Sequence, residues 1–301
     1  VTRIEARYPP RGRFVPVTGG RLHVLDRPAA QGEPFGTIVL VHGASGNLAD
    51  IDLALGARLA SRHRVLVIDR PGHGWSDRPG GRADASPARQ AQLVREALDA
   101  LGVERAVIVG HSWSGALATN LALDHSEKVS ALLLLSPVTH PWPGGVSWQN
   151  PAAASRFLGE FLVRTVVLPL GTLTMKPIVR GIFSPQSPPP GYVENADIPL
   201  ILRPGQFRAN AQDINELNPF MARQAPRYPA ITVPTTIITG DQDHIVTPEI
   251  HSHAISRQIA GARLVVIHGA GHMPHHTATD RVLEEIEDLA EQVAPRQFAL
   301  H

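Results

Sequence analysis

Cysteine is absent from this 301-residue chain. Disulfides, thiol nucleophiles and thiolate-bound metals are therefore excluded, while the compartment stays open, because a cysteine-free chain tolerates oxidising and reducing surroundings alike. Long apolar runs are missing too. No stretch approaches the roughly 18 apolar residues of a spanning helix, so no membrane span is expected. Nor is one sign of charge in excess. Lys and Arg number 28 against 27 Asp and Glu, for a net charge of +1, and the basic residues are scattered. That balance gives no electrostatic reason to expect nucleic acid or an anionic membrane as a partner. Internal repeats and low-complexity tracts are absent as well. The chain opens on Val1 and not on Met, which leads us to expect that an upstream segment has been removed, with room there for a signal or an anchor.

What is present reads as a folded α/β chain. Hydrophobic residues make up 43% of it, enough for a large core. Residues 13–26 read as two short strands around Gly19-Gly20, a hairpin signal. Continuous apolar runs at 37–42, 64–69, 105–110 and 129–135 predict strands buried on both faces. Helical patterns fall between them: one from about Leu48, with Asn47 as cap and Asp50 placed three residues on, one over 87–101 ending at Gly102, and one over 114–124. Strand and helix alternate again at 235–239, 248–260, 263–267 and 279–293. Such alternation implies a mostly parallel, doubly wound sheet with helices on both faces. Residues 137–229 differ. They are rich in proline, with amphipathic stretches at 154–167 and 206–223 and no readable βαβ unit. We expect a core of 1–136 and 230–301 interrupted by a helical insert at 137–229.

Three segments carry chemistry. Gly110-His111-Ser112-Trp113-Ser114-Gly115 sits where a buried strand turns into a helix. A serine there takes a strained backbone angle and needs small neighbours, which Gly110 and Ser114 supply; the usual G-x-S-x-G pattern has glycine where Ser114 stands. A serine hydroxyl needs a base, and the base an orienting acid. His272 follows the strand 263–267 in Gly-Ala-Gly-His, which sets it apart from the other fourteen of the chain's fifteen histidines. Two carboxylates after the strand 235–239, Asp241 and Asp243, compete for the acid role. Both loops lie at the C-terminal ends of strands, where open parallel sheets assemble their sites. The turn His42-Gly43-Ala44 can aim backbone amides at a substrate, with Ala44 N–H and Trp113 N–H as an oxyanion hole. The groupings His251/His253 and His272/His275/His276 lack a carboxylate pattern in the sequence, so neither metal nor cofactor is expected.

With these segments in view the chain resembles the α/β-hydrolase superfamily, in the branch with a helical cap. The resemblance rests on VLVHGASGN (39–47), DRPGHGWSDRP (69–79), VGHSWSG (109–115), ITGDQDHIVTP (238–248) and GAGHMPH (269–275). It covers nearly everything outside the insert. It implies an α/β-hydrolase fold with Ser112 as nucleophile, His272 as base and, through the pattern G-x-x-D at Gly240 to Asp243, Asp243 as acid with Asp241 as fallback. Asp69 to Ser76 matches the family's D-x-P-G-x-G-x-S stretch and reads as a structural turn. Relatives that dehalogenate or open epoxides use Asp at the elbow; Ser112 points instead to acyl transfer.

The insert is expected to cover the site and to roof a pocket with Trp142, Trp148, Phe157, Phe161, Phe183, Tyr192, Phe207 and Phe220, while His42, Gly43 and the Trp113 ring help to shape it. An apolar roof favours uncharged, hydrophobic groups. The expected function is a carboxylesterase acting on a small-molecule ester. The same triad serves C–C bond hydrolases, thioesterases or acyltransferases, and perhydrolases. A C–C hydrolase would need polar groups from the insert, with Arg156, Arg164, Arg180, Arg203 and Arg208 as candidates. The contrasting class is a ligand receptor that kept the pocket and lost turnover.

Overall fold

Strands made of Val, Ile and Leu on both faces need cover on both faces, and the chain puts them at the centre of a sheet. The computed structural model describes residues 1–30, 35–143 and 168–294. The strands are β1 (Arg13–Val17), β2 (Gly20–Arg27), β3 (Thr37–Val41), β4 (Arg64–Ile68), β5 (Ala106–His111), β6 (Val129–Leu135), β7 (Thr235–Gly240) and β8 (Arg263–Ile267). They form one eight-stranded sheet in the order β1-β2-β4-β3-β5-β6-β7-β8. β2 pairs antiparallel with both β1 and β4, and every other pairing is parallel.

The helices are α1 (Thr2–Arg7), α2 (Leu48–Ile51), α3 (Ala57–Leu59), α4 (Pro87–Ala100), α5 (Ser114–Asp124), α6 (Leu168–Phe183), α7 (Tyr192–Asn195), α8 (Pro204–Gln224), α9 (Ser252–Gln258), α10 (Pro274–Thr277) and α11 (Thr279–Val293). Alternate residues of the central strands feed two apolar layers, as the period of two requires. Val39, Val41, Ile108, Leu132 and Leu134 pack with α4 and α5 on one face. Ile38, Leu40, Val107, Val109 and Leu133 pack with α2 and α11 on the other. Between β6 and β7 the described residues carry helices and no strand. There Met175, Val179, Phe183, Tyr192 and Leu202 make a separate apolar cluster that includes Met273 of the core. The stretch 154–167 lies outside the described residues.

Three local expectations are corrected. The helix from Leu48 breaks into α2, one turn of π-helix over Asp52–Gly56, and α3. At the break Asp52 accepts from Arg27 Nε and Nη2 at 2.7 and 2.8 Å. Asn47 does cap α2, accepting from the Ala49 amide at 2.8 Å, but the Asp50 side chain does not reach back to the cap. Its Oδ1 accepts instead from Tyr192 and His276. The helix expected over 248–260 runs only from Ser252 to Gln258, because the residues before it close turns in which the Ile250 and His251 amides both donate to Thr247 O.

Candidate active site

The turn from β5 into α5 places Ser112. Its φ of 53° lies in the left-handed region, a conformation a non-glycine residue adopts only when its surroundings enforce it. The enforcement is visible. The Ser112 amide donates to Leu135 O, and its carbonyl accepts from Gly115 N and Val138 N, all at 2.9 Å. A Cβ at Gly110 would stand 2.7 Å from Ser114 O and 2.9 Å from Ala118 Cβ, so strand and helix meet this closely only through glycine. Ser114 is more than a tolerated small residue. Its hydroxyl donates to His42 O at 2.5 Å and ties the turn after β5 to the turn after β3.

Two loops bring the expected acid and base to Ser112. His272 follows β8 and Asp243 follows β7. His272 Nδ1 lies 2.8 Å from Asp243 Oδ2, and His272 Nε2 lies 3.0 Å from Ser112 Oγ. With Nδ1–H given to the carboxylate, Nε2 is left as the acceptor facing the serine. Asp243 Oδ1 accepts from the Ile245 and Val246 amides at 2.9 Å each, so both carboxylate oxygens are fixed. Asp241 lies elsewhere. It takes His268 Nδ1 at 3.0 Å and Gly269 N at 2.7 Å on the exposed side of the loop.

The turn after β3 completes the constellation. Ser45 also has a positive φ, 60°. Asn210 of α8 clamps it from both sides, accepting from Ser45 N at 2.7 Å and donating to Ser45 Oγ at 3.0 Å. The Ala44 and Trp113 amides meet no acceptor among the described residues. His42 is buried and does not line the site. Its Nδ1 pairs with Gly43 O, and its Nε2 accepts from Arg70 N. Burial foremost, with Arg70 beside it, lowers its pKa to about 3, so it is a neutral structural imidazole. The Trp113 ring is also turned away from the substrate side. Its Nε1 donates to Asp213 O at 3.1 Å, and the Arg70 guanidinium lies 4.0 Å over the ring centre. Arg70 and Asp213 are both fully buried and 2.7 Å apart. His73, Arg78 and Gln90 give Asp213 three further hydrogen bonds. Arg70, His73 and Arg78 share the 69–79 stretch, but nothing local in the sequence marks their common partner, since Asp213 lies 143 residues from Arg70.

A cavity of about 370 Å³ opens over Ser112 and His272. Gly43 and Ala44 line it beside Ser112, and Met175, Ile178, Val179 and Ile182 of α6 form an apolar wall. Of the aromatics expected there, Phe183, Tyr192 and Phe207 line it. Phe220 packs into the core under α8, and Trp142 lies against that core, paired through its backbone with Asn218. Trp148, Phe157 and Phe161 lie outside the described residues. Among the described residues no Lys or Arg lines the cavity.

One polar cluster on this wall escaped the sequence reading. Asp50 lines the cavity, with Tyr192 Oη at 2.7 Å and His276 Nε2 at 2.9 Å from its Oδ1. His275 is fully buried beside it. Burial pushes the Asp50 carboxyl up, but the imidazoles of His275 and His276 outweigh this and hold it well below the usual range. Burial also lowers the His275 pKa to about 4. Asp50, His275 and His276 offer ligand atoms within 4.8 Å of one another. The carboxylate that the histidine grouping lacks in sequence is thus supplied from more than 200 residues away.

The chain is similar to known proteins in sequence and in fold. A 2-hydroxymuconate semialdehyde hydrolase of Pseudomonas putida is 29% identical over 295 residues, which cover 93% of this chain and 94% of that protein. The enol-lactonase from Burkholderia xenovorans LB400 superposes with a TM-score of 0.73 at 23% identity, covering 92% of this chain and 99% of that one. A thermophilic esterase from Thermogutta terrifontis does so with a TM-score of 0.72 at 22% identity, covering 94% and 99%. Residues 36–279 match the family model described as the alpha/beta hydrolase fold, and the chain belongs to that family.

Proposed function

We propose that this hydrolase cleaves carboxylic esters of small to medium apolar substrates through an acyl-enzyme. The observation that carries the reading is the continuous hydrogen-bond chain from Asp243 through His272 to Ser112 on the floor of an apolar cavity. Ser112 Oγ attacks the ester carbonyl carbon while its proton passes to His272 Nε2, and Asp243 steadies the imidazolium. The carbonyl oxygen becomes an oxyanion held by the Ala44 and Trp113 amides. Collapse of this intermediate breaks the C–O bond, and the leaving alkoxide takes the proton from His272. Water then gives a proton to His272 and its oxygen to the acyl carbon. Breakdown releases the carboxylic acid and returns the proton to Ser112. No step requires a metal or an organic cofactor.

The cavity wall supports uncharged groups over anionic ones. A C–C hydrolase acting on an acidic dienoate calls for a cation near the substrate. Arg203 and Arg208 face a different cleft, beside Glu5 and Arg78, and Arg156 and Arg164 lie outside the described residues. The test is hydrolysis of p-nitrophenyl esters from acetate to long acyl chains by wild type and Ser112→Ala. Turnover by the wild type that is lost in the variant is the expected result. Wild-type inertness toward every ester in the series would overturn the reading.

A further inference from the structure

We infer that Asp50 is a binding point for a hydroxyl group on the substrate, so that the preferred esters carry an alcohol away from the reacting carbonyl. This deepens the ester-hydrolase reading and rests on it. The two oxygens of Asp50 differ. Oδ1 is occupied by the Tyr192 hydroxyl and His276 Nε2 at 2.7 and 2.9 Å. Oδ2 accepts no hydrogen bond among the described residues, and His275 Nε2 stands 3.9 Å away, beyond hydrogen-bond reach. His275 is fully buried and has no hydrogen-bond partner at either ring nitrogen. A charged acceptor and a buried imidazole therefore stand side by side with unmet hydrogen-bonding capacity, an arrangement that is costly unless a ligand fills it.

The place of this acceptor gives it a role in selectivity. Asp50 lines the same cavity as Ser112 and His272, on a wall otherwise built by Met175, Ile178 and Val179. In such surroundings one ionised acceptor discriminates strongly, because a substrate lacking the matching donor leaves it unpaired. A neutral hydroxyl suits it better than an ammonium, since the apolar wall would strip an ammonium of water at greater cost. The donor must reach Oδ2 while the ester carbonyl sits at Ser112, which fixes one separation between the two groups.

Matched ester pairs test the inference. Methyl ω-hydroxyalkanoates are compared with methyl alkanoates, and monobutanoates of diols with alkyl butanoates, each at equal chain length, by acid release. At one length the hydroxylated member should be favoured about tenfold or more in kcat/KM, as expected for a hydrogen bond to a charged group. In Asp50→Ala that ratio should shrink toward one, because no hydrogen-bonding group remains there, whereas Asp50→Asn should keep part of it, since a substrate hydroxyl can also accept from an amide N–H. Binding gives a second readout that needs no turnover: Ser112→Ala should gain more thermal stability from the favoured hydroxylated ester than from its parent. Ester cleavage with a ratio near one at every length, and no differential stabilisation, would overturn this inference and leave the ester-hydrolase reading standing. Differential binding without cleavage of any ester would do the reverse. A preference that survives Asp50→Ala would remove Asp50 from the role. Stabilisation by Zn²⁺ that is lost in His275→Ala would reassign the cluster to a metal.

Discussion

Asp243 and His272 meet at 2.8 Å through Oδ2 and Nδ1, while Asp241, two residues earlier, gives both of its oxygens to His268 and Gly269. The two carboxylates are thus separated by geometry, and their variants should differ. Asp243→Asn is expected to lower kcat by roughly 10³–10⁴-fold, because the amide cannot hold the imidazole in the required tautomer. Asp241→Asn should stay within about threefold, since it removes only exposed contacts. Steady-state kinetics on one p-nitrophenyl ester decides the ranking.

How much of this was legible beforehand differs by residue. The strands around Val39, Val67, Ile108 and Leu133 could be read directly, because burial on both faces leaves an unbroken apolar run. Ser112 and His272 stood out because each follows an apolar strand in a short glycine-bearing loop. Asp50 did not. Its position after Asn47 suggested a helix cap, yet its partners Tyr192 and His276 lie 142 and 226 residues away. The Arg70–Asp213 pair spans 143 residues. Contacts of that range leave no periodic signature. The break in the helix after Ile51 was hidden for the same reason, since it depends on Arg27 from a neighbouring strand. The expectation that Trp113 would shape the pocket failed because its indole is held under Arg70 and against α8.

The buried pair just named should dominate stability. Asp213→Ala would leave Arg70 charged and fully buried without its carboxylate. A loss of about 3–5 kcal/mol is expected from breaking one side of such a pair. Replacing both members by apolar residues, as in Arg70→Met with Asp213→Leu, should recover much of that loss. Urea denaturation of the two variants beside the wild type checks both statements. Because Arg70 also donates to Gly43 O, the surviving activity of the double variant should fall through kcat more than through KM.

Ser114→Ala removes the hydroxyl that holds His42 O. The elbow keeps its small side chain, so the fold should persist with a loss of about 1 kcal/mol. Turnover should drop several-fold, because the turn bearing the Ala44 amide is no longer fastened to the turn bearing the Trp113 amide. An unchanged kcat would show that the tie has no part in positioning the amides.

Stability should decline in mild acid. Burial lowers the pKa of His42 to about 3, and of His73 and His275 to about 4. In the unfolded chain each titrates near 6.5. Above that pH both states are neutral at these positions and no penalty arises. As the pH falls below about 6.5 the unfolded chain gains protons that the folded one refuses, so stability drops until the folded values are reached. Each histidine contributes up to about 1.4 kcal/mol per pH unit in this window. Urea midpoints measured from pH 7.5 to 4.5 should therefore fall most steeply below 6.5, and His275→Gln should flatten the slope.

The central claim, that Ser112 is the activated nucleophile, is tested most directly by a fluorophosphonate reagent and intact-mass measurement. The account predicts one phosphonyl adduct per chain, placed on Ser112 by peptide mapping and absent when His272 is replaced by alanine. Labelling at another residue, or a chain left unmodified by excess reagent, would contradict it.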